Sequence, residues 1–233
     1  MVRVDAHPCY LLHSRPYRES SLILDVFSFS YGRVALIAKG ARSSKSRLKP
    51  VLTPFNQLLI SWSGRGDLYT LREAETTHTS LPLLGSRLIS ALYLNELIRD
   101  LLHTEDPCED LYDLYERTLN EIRHGDTIDH SLRLFEKHLL EVMGYALILD
   151  HEAVNGAPLE DLLCYRYEIN NGPVICDCNN RGAVFRGRDL IAFCNENFES
   201  EESLKSSKRL TRLVLSNLIS RKEIKSRSLF SVL

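Results

Sequence analysis

The first 80 residues contain five short runs rich in β-branched, aromatic and leucine residues, each separated from the next by turn-forming residues. The runs are CYLLH (9–13), SLILDVF (21–27), RVALIA (33–38), QLLISW (57–62) and LYTLREA (68–74). Runs of this kind predict β-strands. Five strands in so short a segment favour a closed barrel, because closure leaves no unpaired sheet edge. The strand count predicts a five-stranded OB-fold, and it leaves other small barrels, such as SH3-like ones, open.

Beyond residue 81 the apolar residues recur with the period of a helix rather than that of a strand. Residues 86–102 predict a buried helix, and Pro107 stands where proline is tolerated at the start of a second one. A third pattern begins at Ile128 and ends at Gly144, a residue suited to a helix C-terminus. Residues 201–220 predict an amphipathic helix with an apolar side and a basic side.

These patterns divide the chain into two domains. An OB-fold barrel is predicted over residues 1–80, and a mainly α-helical domain over residues 81–233. Within the second domain, residues 151–195 carry the turn signals VNGAP, NNGPV and NNRG around short strand-like pieces. We predict an irregular insertion there. The predicted fold class is therefore α+β.

Charge is segregated along the chain, although the net charge is only -2. Residues 1–80 carry 11 Lys and Arg against 6 Asp and Glu, and residues 205–233 carry 8 against 1. The residues between them are strongly acidic. Two basic ends around an acidic middle favour a polyanionic partner, although the basic and acidic parts can also neutralise each other in the folded chain.

The densest group of cations lies in AKGARSSKSRLKP (38–50), a stretch without acidic residues. The irregular spacing of the cations excludes a helix face. In a barrel loop they are suited to contact phosphates without reading bases, and the alternative is a simply solvated loop. We predict DNA contacts by Lys and Arg side chains of the barrel and of the C-terminal basic helix. They are Arg15, Arg33, Lys39, Arg42, Lys45, Arg47, Lys49, Arg65, Lys205, Lys208, Arg209 and Arg212.

Aromatic residues of the barrel segment are candidates for stacking on bases. The candidates are Tyr17, Tyr31, Phe55, Trp62 and Tyr69. In a barrel of this size most aromatic side chains belong to the core, so a core position is the alternative for each of them.

The six cysteines are dispersed along a long chain, which is typical of a reducing compartment. We expect free thiols. Cys164, Cys176, Cys178 and Cys194 lie in or near the irregular insertion, but their spacing lacks the two close pairs of a structural zinc site, and we predict no metal and no cofactor. No apolar run reaches the roughly 18 residues of a membrane span, and the N-terminus lacks the apolar core of a signal peptide. We expect a cytoplasmic, nucleoid-associated protein.

An acidic segment, HTEDPCEDLYD (103–113), could in principle supply metal ligands or an acid–base pair. Its simpler interpretation is that Asp106 caps the helix that begins at Pro107, with further carboxylates in the first turn. We therefore do not predict an enzyme. Two alternatives stay open: an RNA- or tRNA-associated enzyme whose barrel delivers substrate to this segment, and a protein adaptor whose basic ends bind acidic partners.

Taken in order, several segments resemble the RecO family of bacterial recombination mediators and DNA repair proteins. The resemblance begins in HSRPYRESSLILDVFSFSYGRVALIAKGARSSKSRLKPVLTPF and continues in GRGDLYTLREAE, ALYLNELI, LRLFEKHLLEVMGYAL, YRYE and LKSSKRLTRLVLSNLI. It covers nearly the whole chain. It implies an OB barrel followed by a helical domain that binds single- and double-stranded DNA, anneals complementary strands and assists loading of the recombinase RecA.

The same resemblance implies protein partners. They are the RecR protein and the acidic, apolar C-terminal tail of single-strand-binding protein. Arg133 matches a family position that meets the carboxylate of that tail, with Phe135 and Leu139 as apolar neighbours. The second basic residue expected beside it is Leu134 in this chain. The alternative for Arg133 is an exposed helix residue without a partner.

Some members of the family carry a four-cysteine zinc finger after the helix that ends near Gly144. In this chain Glu152 and Asn155 occupy the first two ligand positions, Cys176 matches a third, and Cys178 is one residue too close for the fourth. The resemblance therefore implies that the metal has been lost and that packing by Tyr165, Tyr167 and Val174 replaces it.

Overall fold

The first five strands close into a barrel. The computed structural model describes residues 2–78, 81–180, 182–198, 200–219 and 224–229. The strands are β1 (Val2–Tyr17), β2 (Ser21–Ser28), β3 (Gly32–Ala38), β4 (Gln57–Gly64) and β5 (Tyr69–Thr76). They are ordered β1-β2-β3-β5-β4 and β4 returns to β1, which confirms the five-stranded OB-type barrel. Only the β3–β5 pair is parallel.

The barrel forms because each strand contributes apolar side chains to a common interior, and the alternation of inward and outward residues is clearest in β3. In β3, Val34, Leu36 and Ala38 are buried while the residues between them are partly exposed. The interior also contains Leu24 and Trp62 and is closed to solvent. Burial of each large aliphatic side chain contributes on the order of 1.5–3 kcal/mol. β1 is long because its first half pairs with β4 and its second half with β2, with a register shift in each ladder.

Two long helices and a short C-terminal helix belong to the same compact unit as the barrel. They are α1 (Gly85–Leu101), α2 (Glu109–His124) and α6 (Lys225–Leu229). The unit comprises the described residues up to Arg123 together with 224–229. The predicted boundary at residue 80 lies inside this unit, because α2 is tied to the barrel by the Tyr10 hydroxyl, which donates to Glu116 at 2.8 Å. α2 begins at Glu109, two residues after the predicted start at Pro107.

The second unit is formed by residues between His124 and Glu223. It contains α3 (Ile128–Val142), β6 (Cys164–Glu168), β7 (Gly172–Cys176), β8 (Val184–Arg186), α4 (Gly187–Cys194) and α5 (Glu201–Leu218). The three strands form a sheet in the order β7-β6-β8. The predicted irregular insertion at 151–195 is therefore partly wrong: it holds this sheet and α4, because backbone pairing of short strands orders the segment.

The expectation of free thiols is wrong for two cysteines. Cys164 and Cys178 form a disulfide, because the β6–β7 hairpin folds back and brings their Cα atoms to 5.2 Å, a separation that a disulfide spans. The thiols of Cys9, Cys108, Cys176 and Cys194 are free. Burial raises the pKa of the Cys9 thiol to about 12, so this thiol is unreactive in the folded barrel.

Candidate nucleic-acid interface

The basic loop between β3 and β4 is held by apolar residues placed between its cations. Ala41 is buried, and Leu48, Val51 and Leu52 pack against the barrel core. The cations point the other way: Lys39, Arg42, Lys45, Arg47 and Lys49 are all exposed. The loop therefore has an apolar side that fixes it and a charged side that faces solvent. The apolar anchors were missed by the sequence reasoning, although their recurrence among the cations is visible in ARSSKSRLKPVLTPF.

Arg42 joins this loop to the β1–β2 turn. Its backbone N–H donates to the Ser20 carbonyl at 2.8 Å, and its Nη1 donates to the Arg18 carbonyl at 3.1 Å. Arg18 in turn lies over the Tyr17 ring, with its Cζ 5.2 Å from the ring centroid. The cations of the loop and those of the turn are thus held at the same end of the barrel.

The outer surface of β1, β2 and β3 continues from this end. Arg15 lies opposite Ile23, and Ile23 lies opposite Ile37, so the exposed arginine is followed across the sheet by two partly exposed isoleucines. Arg65 is exposed in the β4–β5 turn. OB-folds bind oligonucleotides on the face of strands 2 and 3 and with the loops that join strands 1–2 and 4–5. Arg65 belongs to the 4–5 loop, and the cations of the β3–β4 loop are joined to the 1–2 turn through Arg42.

Seven predicted DNA-binding residues of the barrel share one electrostatic property. Within the part of the chain that the structure describes, none of them forms an ion pair with a carboxylate. They are Arg15, Lys39, Arg42, Lys45, Arg47, Lys49 and Arg65. Their charge is not neutralised locally, so it is free to act on an external anion.

Arg33 does not belong with these cations, which corrects its inclusion among the DNA-binding residues. Its Nη1 donates to the Arg99 carbonyl at 2.6 Å, and its Nε is buried without a partner among the described residues. The side chain is directed toward α1 because Arg33 lies on the part of β3 that the α1–α2 connection covers, where its own carbonyl accepts from Glu105 N–H at 2.9 Å.

The basic side of α5 differs from the single cationic face that helical spacing predicts. Lys205 pairs with Glu201 at 2.6 Å, and the charge and hydrogen bond of that carboxylate raise the pKa of Lys205. Lys208 pairs with Asp129 of α3 at 3.5 Å. Arg209 lies over the Phe185 ring at 4.6 Å and donates to the Val184 carbonyl. Arg212 is exposed and contacts no acidic side chain of the described residues.

The candidate stacking residues are mostly interior. Trp62, Phe55 and Tyr69 are buried, as the core alternative predicts. Tyr31 is exposed and makes an edge contact with the His7 ring at 5.0 Å. Tyr17 is half-buried at the end of β1.

The acidic segment between α1 and α2 is occupied in holding the barrel. Glu105 accepts a hydrogen bond from the Tyr69 hydroxyl at 2.7 Å, and this contact raises the pKa of Tyr69. The carbonyl of Asp106 lies directly against Gly32, where a Cβ atom would come within 2.0 Å of it. The Glu105 carboxylate and the Asp106 backbone therefore both contact the barrel.

Comparison with known proteins covers both units. Residues 4–80 match the sequence profile of the recombination protein O N terminal domain, and residues 85–228 match that of the C terminal domain. The chain is 45% identical over 222 residues to the DNA repair protein RecO of Vibrio parahaemolyticus, with 95% of this chain and 91% of the relative covered.

The chain belongs to the RecO family.

Further relatives of the same description come from Vibrio cholerae, 45% identical with 95% of this chain and 92% of the relative covered, and from Aliivibrio fischeri, 43% identical with 95% and 93% covered. Family membership places the chain among DNA repair and recombination proteins. The barrel described above is the RecO N-terminal domain, and the matched C-terminal domain includes α1 and α2 as well as the second unit.

The residues that the resemblance assigns to contact with the tail of single-strand-binding protein are buried. Phe135 and Leu139 have no exposed surface, and Arg133 is only 2% exposed. Arg133 Nη2 donates to Glu136 at 2.6 Å, and Thr211 donates to the other oxygen of the same carboxylate at 2.5 Å. This placement does not agree with direct contact between these side chains and a partner's tail, nor with an exposed Arg133. The reason is that they lie on the side of α3 that packs against α5.

The positions of the RecO zinc finger do not fit a metal in this chain. Glu152 is buried, and its Oε2 accepts the backbone N–H groups of Val154 at 3.0 Å and Asn155 at 2.9 Å, so the carboxylate closes its own turn. Cys178, the closest match to the fourth ligand, is bonded to Cys164. Among the described residues, no group of three or more His, Cys, Asp and Glu side chains is placed to hold a metal ion.

A membrane-spanning role finds no support in the helices. None of those in the described ranges has both the length and the apolar character needed to cross a bilayer.

Proposed function

We propose that the chain binds DNA through phosphate contacts at the barrel and anneals complementary strands. The observation that carries this proposal is a group of seven exposed cations, on the loop, the β1–β2–β3 face and the β4–β5 turn, that form no ion pair with any carboxylate of the described residues. Lys and Arg at such positions neutralise phosphates and release condensed counterions, which favours binding without sequence preference. The partly exposed Ile23 and Ile37 offer an apolar surface beside the cations for unstacked bases.

Annealing requires only that two like-charged strands approach each other. A cationic surface lowers the repulsion between the strands, so that complementary bases meet more often, and no bond is made or broken in the protein. We therefore propose a non-enzymatic mediator. On the other unit, Arg212 of α5 is exposed and contacts no acidic side chain of the described residues, so it offers a further phosphate contact.

The family relationship supports partners for this activity. We assign to the chain the binding of single- and double-stranded DNA, cooperation with RecR and with the C-terminal tail of single-strand-binding protein, and assistance to the recombinase RecA. The surface that meets the tail does not include Arg133, Phe135 or Leu139, which are buried. An annealing assay on DNA covered by intact single-strand-binding protein, or by a version without its tail, tests the partner: annealing should depend on the tail.

The salt dependence of binding tests the phosphate contacts. With about 4–6 contacts on a single strand, log K should fall against log salt with a slope of roughly -3 to -4. The measurement is fluorescence anisotropy of a labelled oligodeoxythymidylate over a range of salt concentrations. An affinity that does not change with salt would exclude this mode of binding.

Charge reversal in the loop tests its location. The variant K39E/K45E/R47E changes three exposed cations and leaves Arg42, whose hydrogen bonds hold the loop. We expect single-strand affinity to fall at least about tenfold, because three phosphate contacts become repulsive. The matched control is R3E/R72E/R117E, which reverses three exposed arginines elsewhere in the same unit. Equal loss in the two variants would mean that only net charge matters, and retained annealing in the first would overturn the role of the loop.

A further inference from the structure

The second unit contains an open cavity of about 650 Å³ between β8, α4 and the first half of α5. Among the described residues that line it, four are cations: Arg186, Arg188, Lys205 and Arg209. Two carboxylates, those of Asp189 and Glu202, face them. The lining therefore has an excess of positive charge, although the segment 151–204 is acidic in sequence.

The two arginines that flank Gly187 are fixed by a close turn. A Cβ atom at Gly187 would come within 1.9 Å of the Glu160 carbonyl, so only glycine permits this approach. The Gly187 N–H donates to the Leu163 carbonyl at 2.8 Å, and the Arg188 N–H donates to the Asp161 carbonyl at 3.3 Å. The chain passes here from β8 directly into α4. The backbone that carries both arginines is therefore fixed by the close approach to Glu160 and by these two hydrogen bonds.

Two arginines of this cavity, Arg186 and Arg209, retain free donors, and the Nε of the third, Arg188, lies 3.7 Å from Asp189 Oδ1. Arg186 is exposed and makes no ion pair with any residue in the described ranges. The guanidinium of Arg209 lies over the Phe185 ring, with its Cζ 4.6 Å from the ring centroid, and uses one N–H for the Val184 carbonyl, which leaves its other donors available. A guanidinium with free donors is suited to phosphate, because its planar donor edge matches two phosphate oxygens.

One wall of the cavity is closed by the Cys164–Cys178 disulfide, with Asn179 and Gly182 on the rim. Cys164 lies directly opposite Arg186 in the β6–β8 ladder. The disulfide therefore ties the rim to β6, the strand that pairs with the strand carrying Arg186.

We propose that this cavity binds the sugar-phosphate backbone of a DNA strand, with Arg186, Arg188 and Arg209 as the phosphate contacts. The proposal rests on the proposed function and extends it, because it gives the second unit a strand-binding site of its own. This site combines residues of β8, α4 and α5, so the basic side of α5 alone does not define it. Lys208 and Arg212, which do not line the cavity, are not part of this site.

The test uses the full chain carrying K39E/K45E/R47E, so that the barrel loop no longer dominates binding. We expect this variant to keep weak, salt-dependent binding of a fluorescein-labelled oligodeoxythymidylate at low salt. Adding R186E/R188E should reduce that residual affinity by on the order of tenfold or more. With the native loop, R186E/R188E alone should make the salt slope shallower by about 1.4, since each single-strand contact accounts for about 0.7.

The matched control adds R117E/R166E, two exposed arginines outside the cavity, of which Arg166 is already paired with Glu168. Thermal unfolding verifies that each variant is folded, and R186Q/R188Q replaces the reversal if it is not. Equal affinity with and without R186E/R188E, or no residual binding in the loop-reversed chain, overturns the proposal. So does binding of pyrophosphate without binding of the oligonucleotide. A loop-reversed chain with native affinity would instead overturn the proposed function of the barrel.

Discussion

Asn95 is a polar residue of α1 that is buried against the barrel. Its Nδ2 donates to the Leu12 carbonyl at 2.9 Å, and its Oδ1 accepts from the Tyr115 hydroxyl at 2.5 Å. One amide therefore satisfies a strand carbonyl and an α2 side chain together. The amide connects α1, α2 and β1 at a single point, so its loss affects all three.

We expect N95A to lower the free energy of unfolding by about 2 kcal/mol, because it leaves a buried hydroxyl and a buried carbonyl without partners. Urea unfolding followed by the fluorescence of Trp62, which lies in the barrel core, measures the effect. N120A, at an exposed position of α2, is the control and should change stability by less than about 0.5 kcal/mol. Similar values for the two variants would contradict the anchoring role of Asn95.

Gly32 combines a positive φ of 63° with direct contact to the Asp106 carbonyl. Gly40 has a similar φ of 70° but has nothing within 4 Å of the position of a Cβ atom. G40A thus measures the backbone cost alone, about 1 kcal/mol. G32A should cost at least about 2 kcal/mol more, because the α1–α2 connection must move away from the barrel. Thermal unfolding of both variants gives the difference, and equal costs would exclude the close packing.

His7 makes the stability of the barrel depend on pH. Partial burial lowers its pKa below the ordinary value of 6.5, and its Nε2 accepts the Ser30 N–H at 3.2 Å, a contact that a protonated ring cannot make. Because the pKa is lower in the folded state, the unfolded chain binds more protons between the two values. The stabilising contribution of neutral His7 is complete above the ordinary pKa of 6.5 and is lost as the pH falls through the pKa of His7 in the folded state.

We therefore expect the wild-type chain to lose stability as the pH is lowered below 6.5, and H7Q to lose less over the same range. Thermal unfolding across a pH series measures this. His13 also has a lowered pKa, first from burial and then from the charge of Arg99, so part of the pH dependence should persist in H7Q. H78Q, at an exposed position, is the control; a pH dependence that H7Q and H78Q change alike would contradict the assignment to His7.

At the scale of elements, the Cys164–Cys178 disulfide should carry much of the stability of the β6–β7 hairpin. The two residues are 14 apart in sequence, and closing a loop of about that size stabilises a fold by roughly 3 kcal/mol. We expect C164S/C178S, or reduction by dithiothreitol, to increase hydrogen exchange across residues 164–186. The barrel core should keep its protection. C176S is the control, because Cys176 is a free thiol in the same hairpin. Unchanged exchange after reduction would contradict the proposed contribution.

The elements with regular apolar periods were predictable, and the others were not. Alternation in β2 and β3 and the helical period of α3 and α5 gave nearly the observed bounds. β1 was predicted only as residues 9–13, because Pro8 and the polar residues before it interrupt the pattern; pairing with β4 extends the strand to Val2. α4 was missed, since eight residues give too little periodicity. The disulfide was missed because spacing alone does not give hairpin register.

The candidate site was predictable as far as it depends on residue type. Seven barrel cations are exposed and form no ion pair with a described carboxylate, and for the five in the loop their density and the absence of nearby carboxylates indicated this. Arg33 and Arg133 were misplaced, because burial of an arginine depends on which helix covers it, and that is a tertiary property. The arginines around Gly187 were missed for the same reason: the turn at FRGRD is fixed by its contact with the 160–163 segment, which the local sequence does not show.

At the scale of the whole molecule, the chain returns to its first unit at the end. Residues 224–229 belong to the unit formed by residues up to 123, so the second unit is an insertion in the chain of the first. The contact that fixes this return is Glu96 of α1. Its carboxylate accepts the backbone N–H groups of Lys225 at 2.8 Å and Ser226 at 2.9 Å, and the Ser226 hydroxyl at 2.7 Å.

This carboxylate is buried, so it is stable there only while α6 supplies its donors. In a chain ending at residue 219, the free energy of unfolding of the first unit should therefore be lower by about 3 kcal/mol, because the buried Glu96 carboxylate loses its donors. E96L in the truncated chain should recover part of that loss, whereas E96L in the full chain should destabilise it, since the α6 amides then lose their acceptor. Urea unfolding, followed by Trp62 fluorescence, is measured for the full and the truncated chain, each with and without E96L. The four free energies of unfolding form a double-mutant cycle. If E96L has the same effect with and without the last residues, Glu96 and α6 are not coupled, and the closure of the first unit has another cause.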